Sequence, residues 1–189
     1  MTNVLLIVDV QNDFTEGGAL GCEGGAAVAA AITDHLAAHD YPLVVASRDW
    51  HNADDDNGGH FAENPDYVDT WPVHCVAGTE GADYHPSLDT SRVDVHVLKG
   101  QGKPAYSAFE GTTESGERLS EVLTSRGVTH LDVVGIATDH CVRASALDAR
   151  ELGFDVRVID GLTAAVGLES RAAAIEELRL AGVTVDQQA

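Results

Sequence analysis

Short apolar runs recur along the chain, and between them lie longer segments whose apolar residues repeat every three or four positions. Five runs have the composition of buried strands: VLLIVD (4–9), PLVVAS (42–47), VDVHVLK (93–99), LDVVGIA (131–137) and DVRVID (155–160). A weaker sixth run is VTV (183–185). Four segments have helical periodicity: 25–39, 117–126, 141–153 and 169–182. Because strand and helix patterns alternate, we predict an α/β fold with a mostly parallel sheet.

One stretch interrupts this alternation. Residues from about 48 to 92 are rich in Asp, His, Gly and Pro and lack the periodicity of a buried strand or helix. Irregular segments of this length inside a domain are usually functional. We therefore predict a single domain over residues 1–189 with a functional loop insert at about 48–92.

Composition narrows the class of protein. A chain of 189 residues with 44% hydrophobic residues is long enough for one buried core. The net charge of −20 opposes binding to nucleic acid or to an anionic membrane, which favours a small-molecule partner. The first apolar run has no basic leader and stops at Asp9, so we expect neither a signal peptide nor a membrane span, and a cytoplasmic location. Three cysteines, an odd number, predict free thiols.

Four reactive side chains fall at the carboxyl ends of predicted strands. Asp9 ends the first strand, Asp49 follows the second, Lys99 ends the third, and Cys141 begins the helix after the fourth. Parallel sheets place their chemistry at this edge. The helix N-terminus and the lysine should lower the pKa of Cys141, and partial burial should raise the pKa of Asp9, which suits a general acid and base. The alternatives are a buried structural cysteine, a capping aspartate and a solvated lysine.

The loop insert carries a second group of chemically useful residues. Asp49 and His51 lie two positions apart in an extended segment, and His60 and His74 follow. Three imidazoles and a carboxylate suit Zn²⁺, Fe²⁺ or Mn²⁺, so the insert is a candidate metal-binding loop; a histidine-rich loop without metal is the alternative. The acidic run ADDDNGG (53–59) is not a calcium loop, because Pro65 stands where that loop requires a glutamate.

Aromatic residues lie in predicted loops near both groups. They are Phe14, Trp71 and Tyr106. Packing in the core is the simpler explanation for such rings. A flat ring substrate, however, would need aromatic faces on which to stack.

Six motifs in order along the chain resemble those of the nicotinamidase/pyrazinamidase branch of the isochorismatase-like hydrolases. They are DVQNDF (9–14), RDWH (48–51), WPVHC (71–75), LKG (98–100), YSAFEG (106–111) and GIATDHCV (135–142). The resemblance covers nearly the whole chain. It implies a single-domain three-layer sandwich, with a six-stranded, mostly parallel sheet and helices on both faces.

The resemblance also implies a role for individual residues. The catalytic triad would be Asp9, Lys99 and Cys141. The metal ligands would be Asp49, His51, His60 and His74. The oxyanion hole would be formed by the N–H groups of Ala137 and Cys141, next to a cis Ile136–Ala137 peptide. The pocket would be lined by Phe14, Trp71, Tyr106, Ile136 and His140. Because the segment between His51 and His60 is longer than is typical of the family, water in place of His60 is an alternative.

The activity implied is hydrolysis of nicotinamide to nicotinate and ammonia, and of pyrazinamide, through a thioester on Cys141. One divalent transition metal ion (Zn, Fe or Mn) would bind the ring nitrogen, directly or through its water, and so orient the amide. The nearest alternative is another amidohydrolase of this superfamily that acts on a carbamoyl or ureido group. Isochorismate hydrolysis fits less well, because it uses no cysteine nucleophile. A non-enzymatic alternative is a metal-binding or thiol redox-sensing protein. The sequence predicts no oligomeric state.

Overall fold

The computed structural model describes residues 2–186. Its six strands are β1 (Asn3–Val8), β2 (Val44–Asp49), β3 (Val95–Lys99), β4 (His130–Ile136), β5 (Asp155–Ala164) and β6 (Thr184–Asp186). They form one sheet in the order β3-β2-β1-β4-β5-β6, and every neighbouring pair is parallel. All six predicted strands are present. The predicted domain of 1–189 extends beyond this part of the chain, since Met1 and residues 187–189 lie outside the described residues.

Helices cover both faces of the sheet. They are α1 (Gly25–Ala38), α2 (Leu119–Ser125), α3 (Arg143–Glu151) and α4 (Leu168–Leu180). Because side chains alternate along β1, Leu5 and Ile7 pack with α1 on one face, whereas Leu6 packs with the other three helices on the opposite face. The predicted three-layer α/β fold is therefore confirmed.

The strand order creates a crevice beside β1. The chain moves from β1 through β2 to β3 on one side and continues from β4 to β6 on the other. In open parallel sheets, ligands bind at the carboxyl ends of the strands where the order reverses in this way. Asp9 directly follows β1, and Asp49 and Lys99 are the last residues of β2 and β3. Strand β2 begins and ends two residues later than the predicted run of 42–47, so that Asp49 is the last residue of the strand and does not belong to the loop.

The segment between β2 and β3 is irregular but held by specific contacts. Isolated bridges join His51 to Val76 and Phe61 to Trp71. The buried Asn57 side chain accepts hydrogen bonds from the backbone N–H groups of Asn52 (2.8 Å) and Gly102 (3.1 Å). The acidic residues 54–56 are exposed to solvent. Across residues 2–186, no helix is long and apolar enough to cross a membrane.

Candidate active site

The ammonium group of Lys99 lies at the centre of the predicted catalytic residues. Its Nζ atom is 2.9 Å from Asp9 Oδ2 and 3.7 Å from Cys141 Sγ, and it donates a hydrogen bond to Asp49 Oδ1. Lys99 is fully buried. Burial alone would lower the pKa of Lys99, but Asp49 and Asp9 raise this pKa well above its usual range. The ammonium therefore stays charged and compensates the two carboxylates.

Asp9 is also fully buried, which increases its affinity for a proton. Burial raises the pKa of Asp9, while Lys99 opposes this shift. The Ser47 hydroxyl donates a 2.7 Å hydrogen bond to Asp9 Oδ1, which also favours the carboxylate. The direction of the pKa shift is the one predicted from the sequence. A carboxyl group with a raised pKa can take up a proton and return it within one reaction cycle.

Cys141 differs from the prediction in its pKa. Burial raises the pKa of the thiol well above its usual range; Lys99 opposes the shift, whereas the charges of Asp9 and Asp49 add to it. The prediction of a lowered pKa was wrong, because the sequence does not show how deeply the thiol is buried, and the effect of burial exceeds that of Lys99. Cys141 also precedes α3, in a π-helical turn over Thr138–Val142. The resting sulfur is thus a thiol that needs a base.

The three candidate histidine ligands converge in the loop insert. One side-chain donor atom each of His51, His60 and His74 lies within 4.8 Å of the other two. The Nδ1 atom of His51 lies 2.8 Å from the Gly100 carbonyl, and that of His74 lies 2.7 Å from the Pro72 carbonyl. Because a carbonyl only accepts, both Nδ1 atoms carry a proton, so Nε2 is the atom through which each of these two rings would bind a metal.

Asp49 links the histidines to the catalytic residues. Its Oδ2 atom lies 3.7 Å from His51 Nε2 and 3.8 Å from His74 Nε2, while Oδ1 accepts from Lys99. Burial lowers the pKa of His60 to about 4, so that its imidazole is neutral at pH 7. His51 Nε2 and His60 Nδ1 are buried and make no hydrogen bond with the described residues. Three imidazoles and one carboxylate are a donor set that fits a divalent metal ion.

A cavity of about 300 Å³ opens beside these groups. All five predicted pocket residues line it, namely Phe14, Trp71, Tyr106, Ile136 and His140. Asp49, His60, Ala137 and Cys141 also line it, and the Ile136–Ala137 peptide is cis as expected. Trp71 donates a 2.9 Å hydrogen bond from Nε1 to the Tyr106 hydroxyl and presents an edge to His140 at 5.3 Å between ring centroids. Aromatic rings therefore form one part of the cavity wall, beside small and aliphatic side chains.

Sequence reasoning missed several residues that shape the site. Gln11 clamps the Asp49 backbone, accepting its N–H at 2.8 Å and donating to its carbonyl at 2.9 Å. Gln11 belongs to the DVQNDF motif, so its position was visible in the sequence although its role was not. Other cavity residues had no signal in the sequence, because distant loops bring them together: Leu20, Cys22, Tyr67, Ala105 and Val166.

Comparison with known proteins agrees with this geometry. The isochorismatase domain model matches residues 3–189. The chain is 55% identical over 180 residues to a nicotinamidase/pyrazinamidase of Mycobacterium tuberculosis, covering 95% of each chain. Its fold superposes with a TM-score of 0.85 on PnC1 from L. infantum in complex with nicotinate (36% identity, 97% and 91% covered). It superposes with a TM-score of 0.83 on a pyrazinamidase of Pyrococcus horikoshii in complex with zinc (33% identity, 99% of each covered). The chain belongs to the isochorismatase family.

Proposed function

We propose that this protein hydrolyses nicotinamide to nicotinate and ammonia, and accepts pyrazinamide as well. The observation that carries the proposal is the contact of one buried ammonium, on Lys99, with Asp9, Asp49 and Cys141 beside an aromatic cavity. A flat heteroaromatic amide fits such a cavity, with its carboxamide directed at the sulfur. The names of the similar proteins support the same substrate class.

In the first half of the reaction, Asp9 accepts the proton of the Cys141 thiol while the sulfur attacks the carboxamide carbon. The carbonyl π electrons move to oxygen, and the backbone N–H groups of Ala137 and Cys141 stabilise that oxyanion. When the tetrahedral intermediate collapses, the C–N bond breaks and Asp9 returns its proton to the leaving nitrogen. Ammonia departs, and a thioester joins the acyl group to Cys141.

In the second half, water replaces ammonia. Asp9 takes a proton from the water as its oxygen attacks the thioester carbon, and the same N–H groups stabilise the second oxyanion. Collapse breaks the C–S bond, and the sulfur recovers its proton from Asp9. The product leaves as the acid and releases its carboxyl proton to solvent, which gives nicotinate. Lys99 keeps its charge in both halves, and it stabilises the carboxylate form of Asp9 whenever the proton is on sulfur or nitrogen.

We further propose that Asp49, His51, His60 and His74 hold one zinc, iron or manganese ion. The two histidines with a fixed tautomer, His51 and His74, support this assignment, and the zinc-bound pyrazinamidase with the same fold favours zinc. A bound ion would supply a cationic anchor for the ring nitrogen, directly or through its water. The alternative of water in place of His60 is tested by metal analysis of a His60→Ala variant.

Ammonia release tests the function directly. Wild type should convert nicotinamide to nicotinate with equimolar ammonia, and Cys141→Ala should release none. Cys22→Ala is a matched control, since Cys22 lines the same cavity and has no place in the reaction. Intact-mass analysis of quenched wild type should detect the acyl adduct on Cys141. Equal ammonia release by Cys141→Ala would refute the nucleophile; turnover of carbamoyl or ureido compounds alone would favour the second amidohydrolase class.

A further inference from the structure

Asp139 is a buried carboxylate with no part in the mechanism above. It is 5% exposed and lies two residues before the nucleophile, in the π-helical turn. Its Oδ1 atom accepts the backbone N–H of Val166 at 3.0 Å, and its Oδ2 atom accepts that of Gly167 at 3.2 Å. The Ser170 hydroxyl also donates to Oδ2. Three donor groups, two from the residues just before α4 and one from its first turn, thus converge on one side chain.

The same carboxylate connects two walls of the cavity. His140 Nδ1 lies 3.3 Å from Asp139 Oδ1, and His140 lines the cavity next to Cys141. Val166, whose N–H is bonded to Asp139, also lines the cavity. These contacts lower the pKa of Asp139 even though burial alone would raise it, so the group is ionised. An ionised carboxylate at the first turn of a helix is further stabilised by the helix dipole.

We propose that Asp139 is a positioning residue that holds the turn carrying Cys141 against the start of α4 and thereby fixes the oxyanion donors. The proposal rests on the proposed function, and it adds a residue to which the reaction scheme gives no role. The turn begins at Thr138, whose hydroxyl donates a 2.9 Å hydrogen bond to the Thr163 hydroxyl on β5. Without Asp139, the part of the turn that carries Cys141 loses its side-chain anchor to α4.

The test variant is Asp139→Asn. Either orientation of the amide places an NH₂ group against a backbone N–H, of Val166 or of Gly167, so at least one bond is lost. Asp160→Asn is the matched control, because Asp160 is also buried and bonded to α4, through Arg171, but lies outside the cavity.

The readouts separate positioning from general destabilisation. Pyridine-3-carbaldehyde adds to the Cys141 sulfur and forms a tetrahedral oxyanion, whereas nicotinate reports ground-state binding. For Asp139→Asn we expect kcat for nicotinamide to fall roughly 100-fold and the aldehyde affinity to fall similarly, while KM and nicotinate affinity change by less than about threefold. Asp160→Asn should lower the unfolding temperature but leave kcat within about threefold of wild type.

Two outcomes would overturn the proposal. One is that Asp139→Asn keeps the wild-type kcat and aldehyde affinity. The other is that Asp160→Asn loses as much kcat and aldehyde affinity as Asp139→Asn does. If Asp139→Asn fails to fold, the Ser170→Ala variant tests the proposal, because it removes only one of the donors to Asp139. A selective loss of kcat and aldehyde affinity in this variant supports the proposal, and unchanged values refute it. If wild type releases no ammonia, the proposed function fails, but aldehyde binding still measures the role of Asp139.

Discussion

Replacing Lys99 with methionine tests the electrostatic core of the site. In wild type, one ammonium compensates two carboxylates at full burial, so the cluster of Asp9, Asp49 and Lys99 carries a net charge of −1. Methionine keeps the length of the side chain and leaves a charge of −2. Removing one partner of a buried ion pair costs about 3–5 kcal/mol of folding free energy. The folded variant can avoid the charge of −2 by protonating one carboxylate. For a carboxyl group of ordinary pKa this costs about 4 kcal/mol at pH 7, so the loss of folding free energy stays in the same range.

The two consequences of Lys99→Met can be measured separately. Asp9 should take up the proton, so that the base is lost and ammonia release falls by roughly 100-fold or more. In urea titrations the variant should lose about 3–5 kcal/mol at pH 7. Without Lys99 the folded-state pKa of Asp9, already raised by burial, rises further above its unfolded value, so the loss should shrink as pH falls towards 4.

A double variant provides the control. Asp9→Asn in the Lys99→Met background returns the net charge of the cluster to −1, so it should recover about 2 kcal/mol of stability without recovering activity. Both proteins must be compared at the same metal content. If the double variant is no more stable than Lys99→Met, or if Lys99→Met unfolds at the wild-type urea concentration, the charge argument is wrong.

Three further outcomes are expected. Ser47→Ala removes a hydrogen bond to the Asp9 carboxylate and so raises further the pKa of Asp9, which burial has already raised. The acid limb of the pH–rate profile should move up by roughly one unit. An unmoved limb would exclude a role of Ser47 in setting this pKa. Chelation of the metal should abolish nicotinate binding, measured by calorimetry, while iodoacetamide still alkylates Cys141 within about threefold of the original rate; full turnover after chelation would contradict the anchoring role. His60→Ala should weaken metal binding more than about tenfold, and full metal occupancy in that variant would remove His60 from the ligand set.

The positions of the catalytic residues could be predicted because they depend on topology. Asp9 and Lys99 follow apolar runs, and parallel strands bring their carboxyl ends to one edge of the sheet. The histidines of the loop insert were visible from residue type alone. Their convergence was not, because it depends on local contacts such as the buried Asn57 and the bridge between His51 and Val76.

The state of Cys141 could not be predicted, because it results from opposing effects whose sizes the sequence does not give. The sequence places a lysine and a helix start near the sulfur, and both favour the thiolate. The folded site adds burial, with Cys141 only 7% exposed, and the charges of Asp9 and Asp49, which favour the thiol. The sign of the pKa shift depends on distances that topology does not give. Asp9 is therefore needed as the proton acceptor, because a thiol must lose its proton before or during attack.

The DVQNDF motif illustrates how one segment serves both parts of the site. Asp9 is the proposed base, and Gln11 holds the backbone of Asp49. Asp13 accepts the backbone N–H of Cys75 at 2.7 Å, directly after the candidate ligand His74 in the chain. A shift of this segment would therefore displace the base and the metal loop together. Gln11 and Asp13 therefore help to position both groups, although neither side chain takes part in the proposed reaction.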